Sequence, residues 1–273
     1  MITIGIPTYN RKEILKMMAS SLNNSGINIP HQIRIYDDCS TEFGVDALRK
    51  LFPSAASIKV NKANLRADEN ILDMYRDFLN TEDSYFFNAD SDLIFSFDWL
   101  NRALQLMERT SGVLTLLNAN LHSSFKDVDE DLCLKKTIGS AGTLFQRERI
   151  MQLIDFMNKS GSKKSLDWQF SKCFNEMNVP IYCVKNSLVQ HIGYVGQNSF
   201  FFFDYGRNFR VESREQGQII NDILENYIDE IGLLERKRAD DSLYHLKRFF
   251  VIQFKKLLPA KIYHFFRHKF KIK

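Results

Sequence analysis

Four times in the first 110 residues a short β-branched or aromatic run gives way to a polar loop and then to apolar residues at helical spacing. Few folds other than a largely parallel α/β sheet accept that order. Ile2-Thr3-Ile4-Gly5-Ile6 ends at Pro7-Thr8-Tyr9-Asn10, after which Ile14, Leu15, Met17, Met18 and Leu22 share a helical face with Asn10 placed to cap it. Ile33 to Tyr36 runs into Asp37-Asp38-Cys39-Ser40-Thr41 and then Val45, Leu48, Leu51 and Phe52. Ser57 to Val60 leads to Asn61-Lys62-Ala63-Asn64 and a helix over Ala67 to Leu79. Tyr85 to Phe87 leads to Asp90-Ser91-Asp92 and a helix over Phe97 to Arg109. Short connections of this kind place all four loops on one sheet edge, with helices on both faces.

The pattern changes after Val113 to Leu117. His122 to Lys136 is polar and reads as irregular, and Ile138 to Phe145 is rich in small residues that let backbone approach a ligand. Helices are expected over Arg147 to Asn158 and Leu166 to Met177, with a turn at Gly161 to Lys164 between them. Short strands follow at Ile181 to Val184 and Leu188 to Gln190, and the chain beyond Phe200 reads as mainly helical. The expected organisation is a catalytic domain over 1–200, a helical extension over 201–241 and a basic tail over 242–273.

At 273 residues, 44% hydrophobic and 26% charged, the chain can bury a full core. It has no run of eighteen apolar residues and no basic leader before Ile2, which argues against a membrane span or an export signal. Cys39, Cys133, Cys173 and Cys183 are far apart without C-x-x-C spacing, so they read as structural thiols of a reducing compartment rather than a zinc site.

The net charge of +4 conceals a split. Nine of the 37 Lys and Arg lie between Ser242 and Lys273, where there is no Asp or Glu, leaving 28 basic against 33 acidic groups in the rest. A mildly acidic body argues against nucleic acid as the partner. In the tail, Leu243, Leu246, Phe250, Phe254, Leu257 and Leu258 share a face opposite Lys247, Arg248 and Lys255. Such a helix suits the anionic surface of a membrane, where each Lys or Arg contributes about 1 kcal/mol. Packing on the body, self-association and a single-strand-binding arm are the other readings, and the first can coexist with lipid binding.

The acids carry the chemistry. Asp90 and Asp92 follow an apolar strand, with no basic residue near them in sequence, at the edge where open α/β sheets bind ligands. Two hard oxygen ligands there suit Mg²⁺ or Mn²⁺ shared with a substrate's phosphates, although Asp-Ser-Asp is equally good turn or N-cap chemistry. With Pro7, Thr8 and Tyr9 at the first strand's end and Asp37-Asp38 at the second, a nucleotide can lie across the strand ends with its diphosphate against a metal.

In this order, ITIGIPTYNR, IRIYDDCST and YFFNADSD, with SLDWQF and VQHIGYVGQNS later, resemble the family 2 glycosyltransferases over Ile2 to Ser199. The resemblance implies the GT-A fold, a Rossmann-like, mostly parallel sheet flanked by helices, here with a helical amphipathic C-terminal extension. It implies an inverting transfer from a nucleotide diphosphate sugar, with a UDP-sugar the expected donor. Pro7, Thr8, Tyr9 and Asp38 would hold the nucleotide, Asp90 would lie near the ribose or the metal, and Asp92 would ligate Mn or Mg. Asp167 would be the base, and its neighbour Trp168 would raise its pKa by burial; the alternative is a helix N-cap. His191 would touch the metal or the diphosphate; the alternative is a satisfied structural histidine.

Two departures stand out. Cys39 occupies the place where the family commonly has glycine in its D-D-G-S-T turn, so a residue with a side chain must make that turn or the turn differs. In the third loop the family often has a glycine followed by A-R-N, whereas this chain has NLRADEN; Arg66 is a candidate phosphate ligand or a solvated helix-start residue.

The expected acceptor is a saccharide or lipid-linked saccharide in bacterial surface polysaccharide or lipo-oligosaccharide synthesis, with the enzyme peripheral on the cytoplasmic membrane face. The alternatives are a nucleotidyltransferase, for which Pro7 to Arg11 lacks the Gly- and basic-rich loop, and an inactive membrane-bound scaffold with the same fold.

Overall fold

The computed structural model describes residues 1–119, 121–160, 166–193 and 205–225. The basic tail, Phe200 to Phe203 and the turn at Gly161 to Lys164 lie outside the described residues. The chain divides into two compact units, Met1–Ile220 and Asn221–Lys273. In the second, the described residues 221–225 are helical.

The first unit begins with four βα repeats: β1 (Ile2–Thr8), α1 (Lys12–Asn23), β2 (His31–Asp37), α2 (Val45–Leu51), β3 (Ala55–Val60), α3 (Ala67–Leu79), β4 (Tyr85–Asn88), a short β5 (Leu93–Phe95) and α4 (Trp99–Met107). It continues with β6 (Val113–Thr115), β7 (Ser124–Asp127), β8 (Leu132–Lys135), β9 (Thr143–Gln146), α5 (Arg147–Ser160), α6 (Leu166–Glu176), β10 (Ile181–Val184) and β11 (Val189–His191). Nine strands form one sheet in the order β3-β2-β1-β4-β9-β6-β10-β8-β7, and β5 pairs with β11 apart from it.

β1 lies between β2 and β4, parallel to both, with Ile4 opposite Ile33 on one side and Phe87 on the other. Both faces are covered, which is why these strands are apolar along their length rather than alternating. In β4, Phe87 packs with Ile4, Leu15, Met18 and Trp99, while Phe86 faces Met74, Tyr75, Phe78 and Phe145 on the opposite side. Full burial of such a side chain contributes about 1.5–3 kcal/mol. A Cβ at Gly5 would lie 2.3 Å from Phe86 Cζ and 2.6 Å from Met74 Sδ, so only glycine lets α3 settle this closely on β1. Arg147 donates to the carbonyls of Leu79 (2.5 Å) and Asp83 (3.1 Å), closing the C-terminal end of α3 against the start of α5.

Three details depart from the sequence reading. Ser124–Asp127 and Leu132–Lys135 form an antiparallel hairpin where irregular chain was expected. Thr143–Gln146 inserts antiparallel between β4 and β6, so the parallel half of the sheet stops at β4. Asn10 does not cap α1: the preceding residue of that helix is Arg11, with φ 56° and no side-chain cap. The four cysteines are free thiols, three of them buried. Among the described residues no helix is long and apolar enough to cross a membrane.

Cys39 makes the left-handed turn itself, at φ 64°. That conformation costs an L-residue about 1–2 kcal/mol, which glycine avoids. Cys39→Gly is expected to stabilise the protein by about 1 kcal/mol in urea unfolding, and Cys39→Val to destabilise it. Equal midpoints for the three proteins would show that the turn is not strained.

Candidate active site

The loops after β1, β2 and β3 are built as one piece. Asp38 N–H donates to Thr8 O (2.8 Å), and Asn10 N–H donates to Ser40 Oγ (2.8 Å). The carboxamide oxygen of Asn10 accepts the N–H of Thr41 at 2.8 Å and of Glu42 at 3.3 Å. Glu42 in turn accepts Lys12 N–H at 2.9 Å, so a carboxylate from the second loop serves the start of α1 where Asn10 was expected to cap. Asp38 Oδ1 accepts Leu65 N–H (2.8 Å) and Asn61 Nδ2 (3.0 Å), which ties the third loop to the second. Asp37 accepts both the N–H and the hydroxyl of Ser40, yet burial pushes its pKa up.

Arg66 stands apart. It is exposed at the start of α3, in a backbone conformation (φ 71°, ψ 162°) that glycine takes more readily than arginine. Arg66 therefore occupies a glycine-like position in this loop.

Asp90 and Asp92 lie just beyond β4. Burial, with the nearby Asp92 and Asp167 carboxylates, pushes Asp90 up to about 7. Its Oδ1 accepts Asn88 Nδ2 at 2.5 Å, and Asn88 Oδ1 accepts the Tyr75 hydroxyl at 3.1 Å. Burial acts on Asp92 in the same sense, but His191 and Arg11 outweigh it and hold the carboxyl well below the usual range. Arg11 Nη1 is 2.8 Å and His191 Nε2 3.3 Å from Asp92 Oδ2. These two basic groups, 81 residues before and 99 residues after Asp92 in the chain, escape any local reading of Asp-Ser-Asp.

β11 brings His191 to this place. His191 pairs with Leu93 of β5, and Ile192 N–H donates to Asp92 O at 2.7 Å, so the backbone of one strand end is fastened to the other. Gly193 then passes directly over the carboxylate: a Cβ there would lie 2.1 Å from Asp92 Oδ2 and 3.1 Å from Arg11 Nη1.

The fourth group is Asp167, in the first turn of α6. Its Oδ1 accepts Ser140 N–H at 2.7 Å. Burial raises its pKa, against the lowering effect of the Ser140 contacts. Trp168 is itself 63% exposed, and the Gly139-Ser140 segment lies against the carboxylate. A Cβ at Gly139 would lie 3.7 Å from His122 Nε2 and 3.8 Å from Asp167 Oδ2, which places His122 on the same rim. His122 Nδ1 is 3.0 Å from Thr137 Oγ1. Its position in a polar stretch carried no signal of this, since the β7–β8 hairpin that returns the chain was itself not foreseen.

The donor set fits a divalent cation held partly by its ligand. Asp92 Oδ1 is buried with no hydrogen-bond partner, and His191 converges on the other oxygen. No group of three or more His, Cys, Asp and Glu able to hold a metal occurs among the described residues. One carboxylate and one imidazole leave most of the coordination sphere to phosphate and water, as is usual for Mg²⁺ and related ions at nucleotide sites.

The model of glycosyl transferase family 2 matches residues 3–130, a little under half of the chain. No curated protein matches the sequence. Among solved structures, residues 1–349 of TarS from S. aureus are 14% identical with a TM-score of 0.50, covering 82% of this chain and 70% of that one. The same TarS fragment with UDP-GlcNAc scores 0.48 at 12% identity, over 79% and 60% of the two chains. The mannosyltransferase PcManGT from Pyrobaculum calidifontis, with GDP-Man and Mn²⁺, scores 0.48 at 15% identity, over 66% and 53%. The fold is GT-A, and the family supports glycosyl transfer. The family match ends before Asp167 and His191, so whatever is said of those two rests on their geometry.

Gly193→Ala is expected to displace the Asp92 carboxylate, and any turnover that depends on that carboxylate is expected to fall by about a hundredfold or more. The variant should still unfold cooperatively. Wild-type turnover would show that Asp92 can move freely.

Proposed function

We propose that this protein is an inverting glycosyltransferase that moves a sugar from a nucleotide diphosphate sugar, with a UDP-sugar the expected donor, to a saccharide or lipid-linked saccharide. The observation that carries the reading is the convergence of Asp92, His191, Asp90 and Asp167 beside the joined loops of β1 and β2. Pro7, Thr8, Tyr9 and Asp38 form the nucleotide side in this proposal, with Asp90 near the ribose or the cation. Asp38 already accepts two hydrogen bonds on one oxygen, which fixes its second oxygen for a ligand. Arg66 is the candidate for an outer phosphate contact, since its exposed side chain is free of any constraint that Asp38 imposes on Leu65.

Mn²⁺ or Mg²⁺ at Asp92 and His191 would supply neutralisation of the departing diphosphate. Asp167 takes the proton of the acceptor hydroxyl as its oxygen bonds to the anomeric carbon and the bond from that carbon to the diphosphate breaks. A carboxylate whose basicity is raised by burial suits this task. We also infer that the basic tail beyond residue 241 rests on an anionic membrane surface. That setting fits a cytoplasmic, peripheral enzyme of bacterial surface polysaccharide or lipo-oligosaccharide synthesis.

Asp167→Asn is expected to leave nucleotide-sugar binding within about twofold of wild type while transfer falls by about 10²-fold or more, the usual weight of a general base. Unchanged turnover would remove Asp167 from the mechanism. Because the base must be ionised, transfer should fall as pH drops through the raised pKa of Asp167, above the ordinary aspartate value of about 3.9. An Asp90→Asn background removes from this profile the neighbouring carboxyl that is pushed up to about 7. Activity that stays flat down to about pH 4 would contradict the assignment.

A further inference from the structure

Arg11 has no part in the proposed reaction, yet of the two basic side chains on the Asp92 carboxylate it lies the nearer. Its Nη1 lies 2.8 Å from Asp92 Oδ2 and its Nη2 3.3 Å from Ser91 Oγ, so the guanidinium fork spans both residues. Two consecutive left-handed residues, Asn10 at φ 50° and Arg11 at φ 56°, turn the loop so that the side chain reaches across from the first strand to the fourth. Both are conformations that residues with a side chain enter against a steric cost. Gly193 leaves room for the fork by lacking a Cβ, which would lie 3.1 Å from Nη1.

Two features make this contact unlike a permanent structural bridge. The Asp92 carboxylate is buried, with 7% of its side chain exposed, whereas 33% of the Arg11 side chain is open to solvent. Arg11 also sits on the oxygen that His191 shares, while Oδ1 of the same carboxylate has no hydrogen-bond partner. A guanidinium here neutralises the charge that would attract a cation. The same planar fork is the side-chain group best matched to phosphate oxygens, and it cannot serve Asp92 and a diphosphate with the same N–H donors.

We propose that Arg11 is a placeholder cation: before donor binds it neutralises Asp92, and on donor binding it yields that carboxylate to the divalent cation and turns its N–H donors to the diphosphate. This rests on the donor-binding reading above. Its consequence is thermodynamic. The bare cation binds weakly because it must displace Arg11, and a nucleoside diphosphate, by giving Arg11 another anion, strengthens cation binding. Linkage requires the cation to strengthen nucleotide binding by the same factor.

The test is Mn²⁺ binding to the full chain, read from the electron paramagnetic resonance signal of free Mn²⁺, without nucleotide and with UDP or GDP. In the wild type, the better of the two nucleotides should tighten Mn²⁺ binding by about tenfold or more, within the usual range of coupling between sites. In Arg11→Ala, Mn²⁺ alone should bind more tightly than in wild type, nucleotide more weakly, and the coupling should fall below the wild-type value to the part that shared phosphate ligation of the cation supplies. Arg11→Gly, free of the left-handed cost, should behave alike, which separates the lost charge from a disturbed loop. Arg11→Lys keeps the charge without the fork and should fall between. Bare-Mn²⁺ and nucleotide affinities that are unchanged in both Arg11→Ala and Arg11→Gly would overturn the role of Arg11 and leave the donor site standing. A wild type that binds neither nucleotide would overturn the donor reading and this proposal with it.

Discussion

β1 carries the arrangement. It pairs in parallel on both sides, Thr8 opposite Asp37 on one and Gly5 opposite Asn88 on the other, and so stands between the two acid-bearing strand ends. This double register brings the ends of β2 and β4 beside its own end, although they come from segments fifty residues apart. Gly5 tightens the arrangement by letting Phe86 and Met74 meet the strand without an intervening Cβ. The loops are then joined by hydrogen bonds that skip across the chain, Asp38 to Thr8, Asn10 to the β2 loop, and Asp38 to the β3 loop. A rigid edge of this kind is what a site needs if a carboxylate is to be held where charge develops rather than reorganise towards it.

The second half of the chain completes the edge from the other side. β9 enters antiparallel, so that Ser140, just ahead of it, is delivered to Asp167. β11 pairs with β5 and delivers His191 and Gly193 to Asp92. Asp90 and Asp92 thus differ in kind. Asp90 is set among other acids and is pushed up to about 7, while Asp92 is set among bases and is held down. Two carboxylates one residue apart with pKa values driven in opposite senses is the pattern expected where neighbouring acids have separate tasks.

Much of this was legible in the sequence, and the reason is that the relevant signals were local. The βα periodicity located β1 to β4, and α3 falls over Ala67–Leu79 as its apolar spacing required. Of the two alternatives that the resemblance left open at Cys39, the structure shows the left-handed turn made by a residue with a side chain. What was not legible depends on pairing at a distance. β9 is four residues long and is defined by its neighbours on both sides, which no period within it could disclose. The β7–β8 hairpin is exposed along Ser124–Asp127 and so lacks the alternation of a half-buried strand. The Asp-Ser-Asp segment looked unopposed because Arg11 and His191 meet it only through the fold. Burial raises the pKa of Asp167 as expected, and the Gly139-Ser140 segment that lies against it comes from a part of the chain 27 residues earlier.

The central claim is that this edge binds a nucleotide diphosphate sugar through a divalent cation and breaks its glycosidic bond to the diphosphate. The most direct measurement is a panel of nucleotide sugars incubated with the purified chain, with Mn²⁺ or with chelator, and assayed for released nucleoside diphosphate. The account expects at least one sugar nucleotide to yield nucleoside diphosphate with Mn²⁺ and none to do so with chelator. Pyrophosphate release from a nucleoside triphosphate, or release of nucleoside diphosphate at the same rate in chelator, would contradict it.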